Sequence, residues 1–313
     1  MSESTSITTT EPWHPTQEVE LIVGTPPGGG QDRPARALMK VMELAGIVTV
    51  PMRLSNVVGK GGGAAWDALR ARGGDAHVLS INSGPLLSNR ILGVADYDHT
   101  EFSLLANLYT EYLAYIVRAD SPLRDAAALL DQLKANAGGL QISIATAIGS
   151  TNHISLGHVM KHLGRDPKTL KLRVFDSALY AVADVLEGNA QAGVISAVSA
   201  VKAIKEGKAR VIAVTAPARM GGVFVDAPAW QELGVPCVAG QWRGIMGGAG
   251  MNAAQIAFWE QAFAAATARA EWQAELETNY WTNTFMGAVK ARTFLDAERD
   301  TLARMLRELG LLS

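Results

Sequence analysis

Only one cysteine, Cys237, occurs in the 313 residues, so the chain holds no internal disulfide and no cysteine-built metal cluster. Nor is there an excess of basic charge. The 28 Lys and Arg against 30 Asp and Glu leave a net charge of −2. A nucleic acid, whose phosphates are gripped by cations that displace counterions, is therefore not an expected partner. No run of about 18 apolar residues is present to span a bilayer, so the chain is not expected to be embedded in a membrane. The opening MSESTSITTTEPWHP has neither the basic stretch nor the apolar core of a secretory signal, and residues 1–16 read as a disordered Ser/Thr-rich tail.

Signatures of catalysis are also missing. The glycine loop Gly28-Gly29-Gly30 follows Thr25-Pro26-Pro27, and no G-x-G-x-x-G of a dinucleotide fold can be drawn through it. The cluster Gly59-Lys60-Gly61-Gly62-Gly63 lacks the Ser or Thr that follows the lysine of a phosphate loop. There is no G-x-S-x-G nucleophile elbow, and Ser150 and His153 have no third partner. His153, His158 and His162 fall in one expected helix. His158 and His162 share a face, whereas His153 points roughly 140° away. No H-E-x-x-H pattern or matched carboxylate accompanies them, so they read as solvated or partly buried histidines and not as a metal site. No catalytic constellation and no cofactor are expected.

What the chain does have is 48% hydrophobic residues and a regular alternation of element types. Apolar, β-branched runs at VELIVGT, VTVPMRL, HVLSINS, LAYIVRA, LQISIAT, LRVFDS, AGVISAV and RVIAVTA read as strands. Helical patterns lie between most of them: 35–44, 64–72, 125–136, 155–163 and 179–186. Two long helices, 252–278 and 288–309, close the chain. Such alternation predicts an α/β protein of two domains, with parallel sheets covered by helices.

In folds of this kind ligands sit beyond the carboxyl ends of the strands. Those ends carry small, neutral hydrogen-bonding residues here. The first runs Pro26, Pro27, Gly28, Gly29, Gly30, Gln31 and Asp32, and a glycine-rich turn into a helix leaves backbone N–H groups to hold an anion. The others are Asn82, Ser83, Gly84 and Pro85; Ala147, Ile148, Gly149, Ser150, Thr151 and Asn152; Asp176, Ser177 and Ala178; and Ser196. Each could simply cap the next helix. Their recurrence at strand after strand favours a binding cleft for a small polar ligand.

These same residues carry a resemblance. VELIVGTPPGGGQDRPARAL resembles the opening of the substrate-binding receptors of tripartite tricarboxylate transporters, the Bug-type proteins: a strand, P-P-G-G-x-x-D, then A-R-x-L. VGKGGGAAWDALRAR, IATAIGSTNHISLGHVM, VFDSALYAVADVLEGNAQAGV, RVIAVTAPAR, VDAPAWQELGVP and QWRGIMGGAGMN resemble further segments of that family in the same order, over roughly residues 19–310. The resemblance implies a Venus-flytrap fold, of the type II-like periplasmic binding kind, with two lobes hinged around a cleft. Lobe one would hold 17–115 and 241–313, and lobe two 116–240. The family's binding loops carry over onto Pro26 to Asp32, Asn82 to Pro85, Ala147 to Asn152 and Asp176 to Ala178. The resemblance also implies a small carboxylate ligand captured mainly by backbone N–H groups, hydroxyls and water, delivery to a membrane permease, and a periplasmic, monomeric receptor.

Departures from the family pattern matter. Gln31 stands where a small residue is usual, and Gly59-Lys60 and Gly248 replace prolines. The family's Y-K-G turn is Phe175-Asp176-Ser177, which removes a lysine. If Asp176 faces the ligand it disfavours a second carboxylate and suits an amine or hydroxyl; otherwise it caps the helix from Ala178. With no export signal in view, either the sequence is a mature form or the protein stays in the cytoplasm. In that second case it would be a ligand sensor or an enzyme of carboxylate catabolism on the same fold.

Overall fold

The computed structural model describes residues 12–145 and 147–312. The first eleven residues of the expected tail lie outside them. Residues 12–16 do not read as a tail. The Trp13 ring packs edge-on against Phe258 at 5.3 Å and near Trp259 at 6.3 Å, and Pro15 is buried. An aromatic ring gains more by burial than the last few backbone positions lose in freedom.

Strands and helices alternate as β1 (Val19–Val23), α1 (Asp32–Leu44), β2 (Met52–Asn56), α2 (Gly63–Arg70), β3 (Val78–Ser83), α3 (Pro85–Ile91), β4 (Ser103–Arg118), α4 (Ala126–Asn136), β5 (Gln141–Ala145) and α5 (Thr151–His162). There follow β6 (Lys171–Phe175), α6 (Ala178–Leu186), β7 (Ala192–Ser196), α7 (Ala197–Lys205) and β8 (Ala209–Val214). The chain ends with β9 (Gly240–Gly247), α8 (Ala253–Thr267), α9 (Ala270–Asn279), β10 (Trp281–Gly287) and α10 (Ala288–Glu308).

The strands form two sheets that share β4. One runs β2-β1-β3-β9-β4-β10, with β1, β2 and β3 parallel and the last three strands antiparallel to their neighbours. The other runs β6-β5-β7-β4-β8, parallel from β6 to β7. Each sheet has helices on both faces. On the first, α1, α8 and α9 cover one side, and α2, α3 and α10 the other. On the second, α4 and α5 face α6 and α7. That is why β1 and β3 are buried at every position, including the polar Glu20, Ser80, Asn82 and Ser83.

The sequence patterns predicted the parallel strands well. They missed β9 and β10, and β4 begins at Ser103, ten residues before the expected LAYIVRA. These antiparallel strands run through glycines, Asn107, Arg243 and Thr284, so no apolar run marks them. The long helix expected over 252–278 is broken: Arg269 is extended (φ −73°, ψ 147°) and starts a new helix.

Where β9 enters beside β4, Gly240 is forced. A Cβ there would overlap the Thr110 methyl and lie 2.9 Å from the Tyr112 ring. Gly240→Ala is expected to cost about 1–3 kcal/mol, the usual penalty for overpacking. Thermal melts read this directly, and an unchanged melting temperature would mean that the crossing is loosely packed.

Candidate functional site

A cleft of about 620 Å³ opens between the lobes at the β4 crossing. Thr25, Gly30 and Gln31 come to it from the β1–α1 loop, and Ser83, Gly84 and Pro85 from the end of β3. Ala147, Ile148, Gly149, Ser150 and Thr151 reach it from the second sheet. Residues 238–243 come from the start of β9 and the two positions before it, and Glu298, Thr301 and Leu302 belong to α10. Ten of the residues expected at the site thus line one cavity: Gly30, Gln31, Ser83, Gly84, Pro85, Ala147, Ile148, Gly149, Ser150 and Thr151.

The glycine loop uses most of its own donors. Gly28 N–H donates to the Asp32 carboxylate at 2.8 Å, and Gly29 N–H to the Pro26 carbonyl at 2.9 Å. Gln31 and Asp32 N–H both donate to Thr25 Oγ1. Pro26, Pro27, Gly28, Gly29 and Asp32 are not among the lining residues; they shape the turn. Gly29 cannot hold a side chain, because a Cβ would lie 2.7 Å from that of Thr25. Among the described residues only Gly30, of the N–H groups from Gly28 to Asp32, has no acceptor. The expectation that the whole loop cradles an anion through its backbone is therefore narrowed to one N–H at the cleft.

Gln31 and Asp32 act as braces. Gln31 Oε1 accepts from Gly24 N–H at 2.7 Å and its Nε2 donates to Ser83 Oγ, tying the ends of β1 and β3 together. A small residue could not span that gap. Burial would push the Asp32 carboxyl up, but hydrogen bonds from Arg36, Asn56 and Gly28 N–H outweigh it and hold it at about 2. Asn82 lies beneath the lining, its Oδ1 buried against Gly244.

In the second lobe, α5 starts at the cleft. Ser150 and Thr151 line the cavity, and Ser150 provides no side-chain cap; its hydroxyl donates instead to the Ala145 carbonyl. The N-terminal end of α5 is therefore available to an anion. Asn152 points inward and donates to the Val194 carbonyl, which anchors the helix to β7. His153 is buried and accepts from Gly149 N–H through Nδ1, while His162 is exposed. No cluster of three or more potential metal-binding side chains occurs among the described residues.

Asp176, Ser177 and Ala178 are not in the lining. They follow β6, the edge strand farthest from the crossing, so the order of the sheet carries them away from the cleft. Asp176 is exposed, and the cap of α6 is Ser177, whose hydroxyl accepts from Leu179 N–H. Ser196 also lies outside the lining. Its hydroxyl meets Ser199 Oγ at 2.9 Å and bonds the carboxyl of Glu111 on β4.

Charge in the lining is sparse. Arg243 is the only Lys or Arg, and its guanidinium donates to the carbonyls of Gly30 and Trp242 without meeting an acid. Behind it, burial pushes the Glu111 carboxyl up, opposed by Arg243, the Ser196 hydroxyl and Arg33. Among the described residues Glu298 is the only acid in the lining, and burial holds His158 below its usual range. Most of the remaining wall is apolar: Val58, Leu87, Leu92, Ile148, Ile154, Val238, Trp242 and Leu302. The cleft can hold one anionic group beside Gly30 and Arg243, with an apolar body beyond it.

The model of the tripartite tricarboxylate transporter family receptor matches residues 43–311 of this chain. The chain belongs to that receptor family. The protein BugT of Bordetella pertussis is 25% identical over 242 residues, which are 74% of this chain and 71% of BugT. Among solved structures, a solute-binding protein of the same family from Polaromonas superposes with a TM-score of 0.82 at 21% identity, covering 95% of this chain and 100% of that one. A Rhodopseudomonas palustris protein with adipate gives a TM-score of 0.76 at 18% identity, over 95% of this chain and 98% of its own. At these identities the likeness establishes the two-lobed periplasmic-binding-protein fold.

Sequence reasoning misses both charged residues of the lining, along with its apolar wall. Arg243 lies in QWRGIMGG, where only the tryptophan and glycine carry the family likeness. Glu298 carries no local signal at all, since only tertiary packing brings α10 to the cleft.

The Asp32 brace predicts an acid limb in stability. Its carboxyl lies lower in the fold than its ordinary 3.8, so its contribution is present above that value and lost as the pH falls from there through about 2. The hydrogen bonds from Arg36, Asn56 and Gly28 N–H are together the source of that contribution. Melts of the wild type and Asp32→Asn should differ by several degrees at pH 6 and converge near pH 2. A gap that persists at pH 2 would mean that the charge is not what matters.

Proposed function

We propose that this receptor captures a small organic carboxylate in the interlobe cleft for delivery to a tripartite tricarboxylate-type permease. The observation that carries the reading is Arg243. Among the described residues it is a guanidinium with no acidic partner at hydrogen-bonding distance, and it shares the cavity with the Gly30 N–H and the uncapped start of α5. Charge-assisted bonds of this kind favour a carboxylate over a neutral group. The family and the ligands held by similar structures, malate in one Rhodopseudomonas palustris protein and adipate in another, support the same class.

On this reading the work is binding without covalent chemistry. Lobe one comprises 17–115 and 241–313 and lobe two 116–240; they hinge about β4 and β9 and close on the ligand. Pro26 to Asp32 act by shaping the loop, and Gly30, Ser83, Gly84 and residues 147–151 supply the contacts. The receptor would work as a monomer in the periplasm, where the family functions.

A thermal-shift panel of mono- and dicarboxylates tests this. A true ligand at about 100 times its Kd adds roughly 2.7 kcal/mol, at least several degrees for a chain of this size. Gly30→Asp sharpens the test. Its Cβ meets nothing nearer than Arg243 Nη2 at 3.5 Å, so the fold accepts it while its carboxylate competes for Arg243. Affinity should fall by at least about tenfold with the unliganded melting temperature nearly unchanged. Binding that survives both Gly30→Asp and Arg243→Gln would remove this end of the cleft from the site.

A further inference from the structure

The cleft has a second wall whose chemistry the carboxylate reading leaves unused. Glu298 projects into the cavity from α10, with Thr301 and Leu302 of the next turn beside it. Its position is fixed by packing. Phe294, one turn earlier, sits edge-on against Trp242 at 6.1 Å and pins the helix to β9. Among the described residues the Glu298 carboxylate makes no ion pair and no hydrogen bond. No neighbouring charge acts on it; burial alone pushes its carboxyl above the usual range. Tyr112 on β4 feels this carboxylate: burial first, and then Glu298, raises its hydroxyl. His158, which also lines the cavity, is held below its usual range by burial, Arg304 and Lys161, against Glu308. Nothing on the protein side satisfies this acceptor.

Glu298 is half-buried in the cavity wall, and a carboxylate that loses water there without gaining a protein donor is held at a cost that a ligand donor would relieve. Between it and the glycine loop the wall is apolar, and Val58, Leu92, Ile148 and Val238 are large apolar side chains left 57%, 44%, 45% and 41% exposed. Resting on the carboxylate reading, we infer that Glu298 is the specificity determinant of the cleft. It selects monocarboxylates whose apolar stem ends in a hydrogen-bond donor, a hydroxyl or an ammonium, and it rejects a second carboxylate. A donor at that end satisfies Glu298, whereas a second carboxylate meets a like charge in a poorly solvated pocket. The role that the sequence suggested for Asp176 belongs to a residue more than one hundred positions later.

Titration calorimetry with four acids of matched stem decides this: hexanoate, 6-hydroxyhexanoate, 6-aminohexanoate and adipate. The wild type should bind a donor-bearing acid at least about tenfold more tightly than adipate. Glu298→Gln, which keeps the side chain's shape, should narrow that gap by weakening the amino acid and strengthening adipate. Adipate binding the wild type as tightly as the donor-bearing acids overturns the inference without reference to any variant. So does a selectivity that Glu298→Gln leaves unchanged. If none of the four acids binds, nor any other carboxylate in a wider panel, the carboxylate reading itself fails and the inference falls with it.

Discussion

A single strand has to belong to two sheets. The sixteen residues of β4 hydrogen-bond β9 and β10 through their first two-thirds, then β7 and β8 through the rest. One strand cannot satisfy both sets of neighbours in one plane, so the sheets diverge at residues 112–113 and a cleft opens there. Thr215 fixes the point of divergence. Its hydroxyl accepts from Leu113 N–H and donates to the Ala239 carbonyl, which joins β4 to the segment that becomes β9. The glycine loop and the start of α5 reach the cavity from beyond the carboxyl ends of β1 and β5, and Arg243 reaches it from within β9 beside this crossing.

The cleft economises on donors. A glycine-rich loop suggests a nest of free N–H groups, yet from Gly28 to Asp32 the side chains of Thr25 and Asp32 and the Pro26 carbonyl absorb all but that of Gly30. Rigidity is what that arrangement gains. A loop whose backbone is satisfied internally holds Gly30 and its carbonyl in place, and that carbonyl in turn positions the Arg243 guanidinium. Preorganising one cation and one N–H costs the ligand less entropy than ordering a flexible loop on binding. The brace is built from charge, through Asp32 with Arg36 and Asn56, so the geometry of a neutral-looking loop depends on an acid that does not face the cleft.

The readable half of this molecule was the parallel half. β1, β3, β5 and β7 announce themselves because a strand covered on both faces is rich in Val, Ile and Leu, and the Gly and Ser turns after β1, β3 and β5 mark the cavity ends of those three. Ser83, Gly84 and residues 147–151 follow from that logic. The segment 176–178 obeys the same local rule and still lies elsewhere, because local sequence does not say which strand is at the edge. β9 and β10 were illegible for a different reason. Their hydrogen-bond partners are supplied by β4 from far along the chain, so they need no strong strand propensity of their own. Arg243 and Glu298 lie beyond local reading for the same cause: one is on such a strand, and the other is on a helix whose place is set by packing.

α10 constrains how the lobes can move. It packs on β4, on α3 of lobe one and on α5 of lobe two, where Met305 and Leu309 form an apolar cluster with Ile154 and press against Gly157. A hinge confined to β4 and β9 would swing α5 away from α10 and expose that cluster. Its two most buried members, Met305 and Leu309, would each lose burial worth about 1.5–3 kcal/mol at the upper limit. Opening is thus opposed by apolar contact at the end of α10, while closure is opposed at its middle, where the unpaired Glu298 would be pressed into a drier cavity. A ligand that gives Glu298 a partner removes the second penalty and leaves the first in force. The balance between lobes is then set by the same carboxylate that sets selectivity.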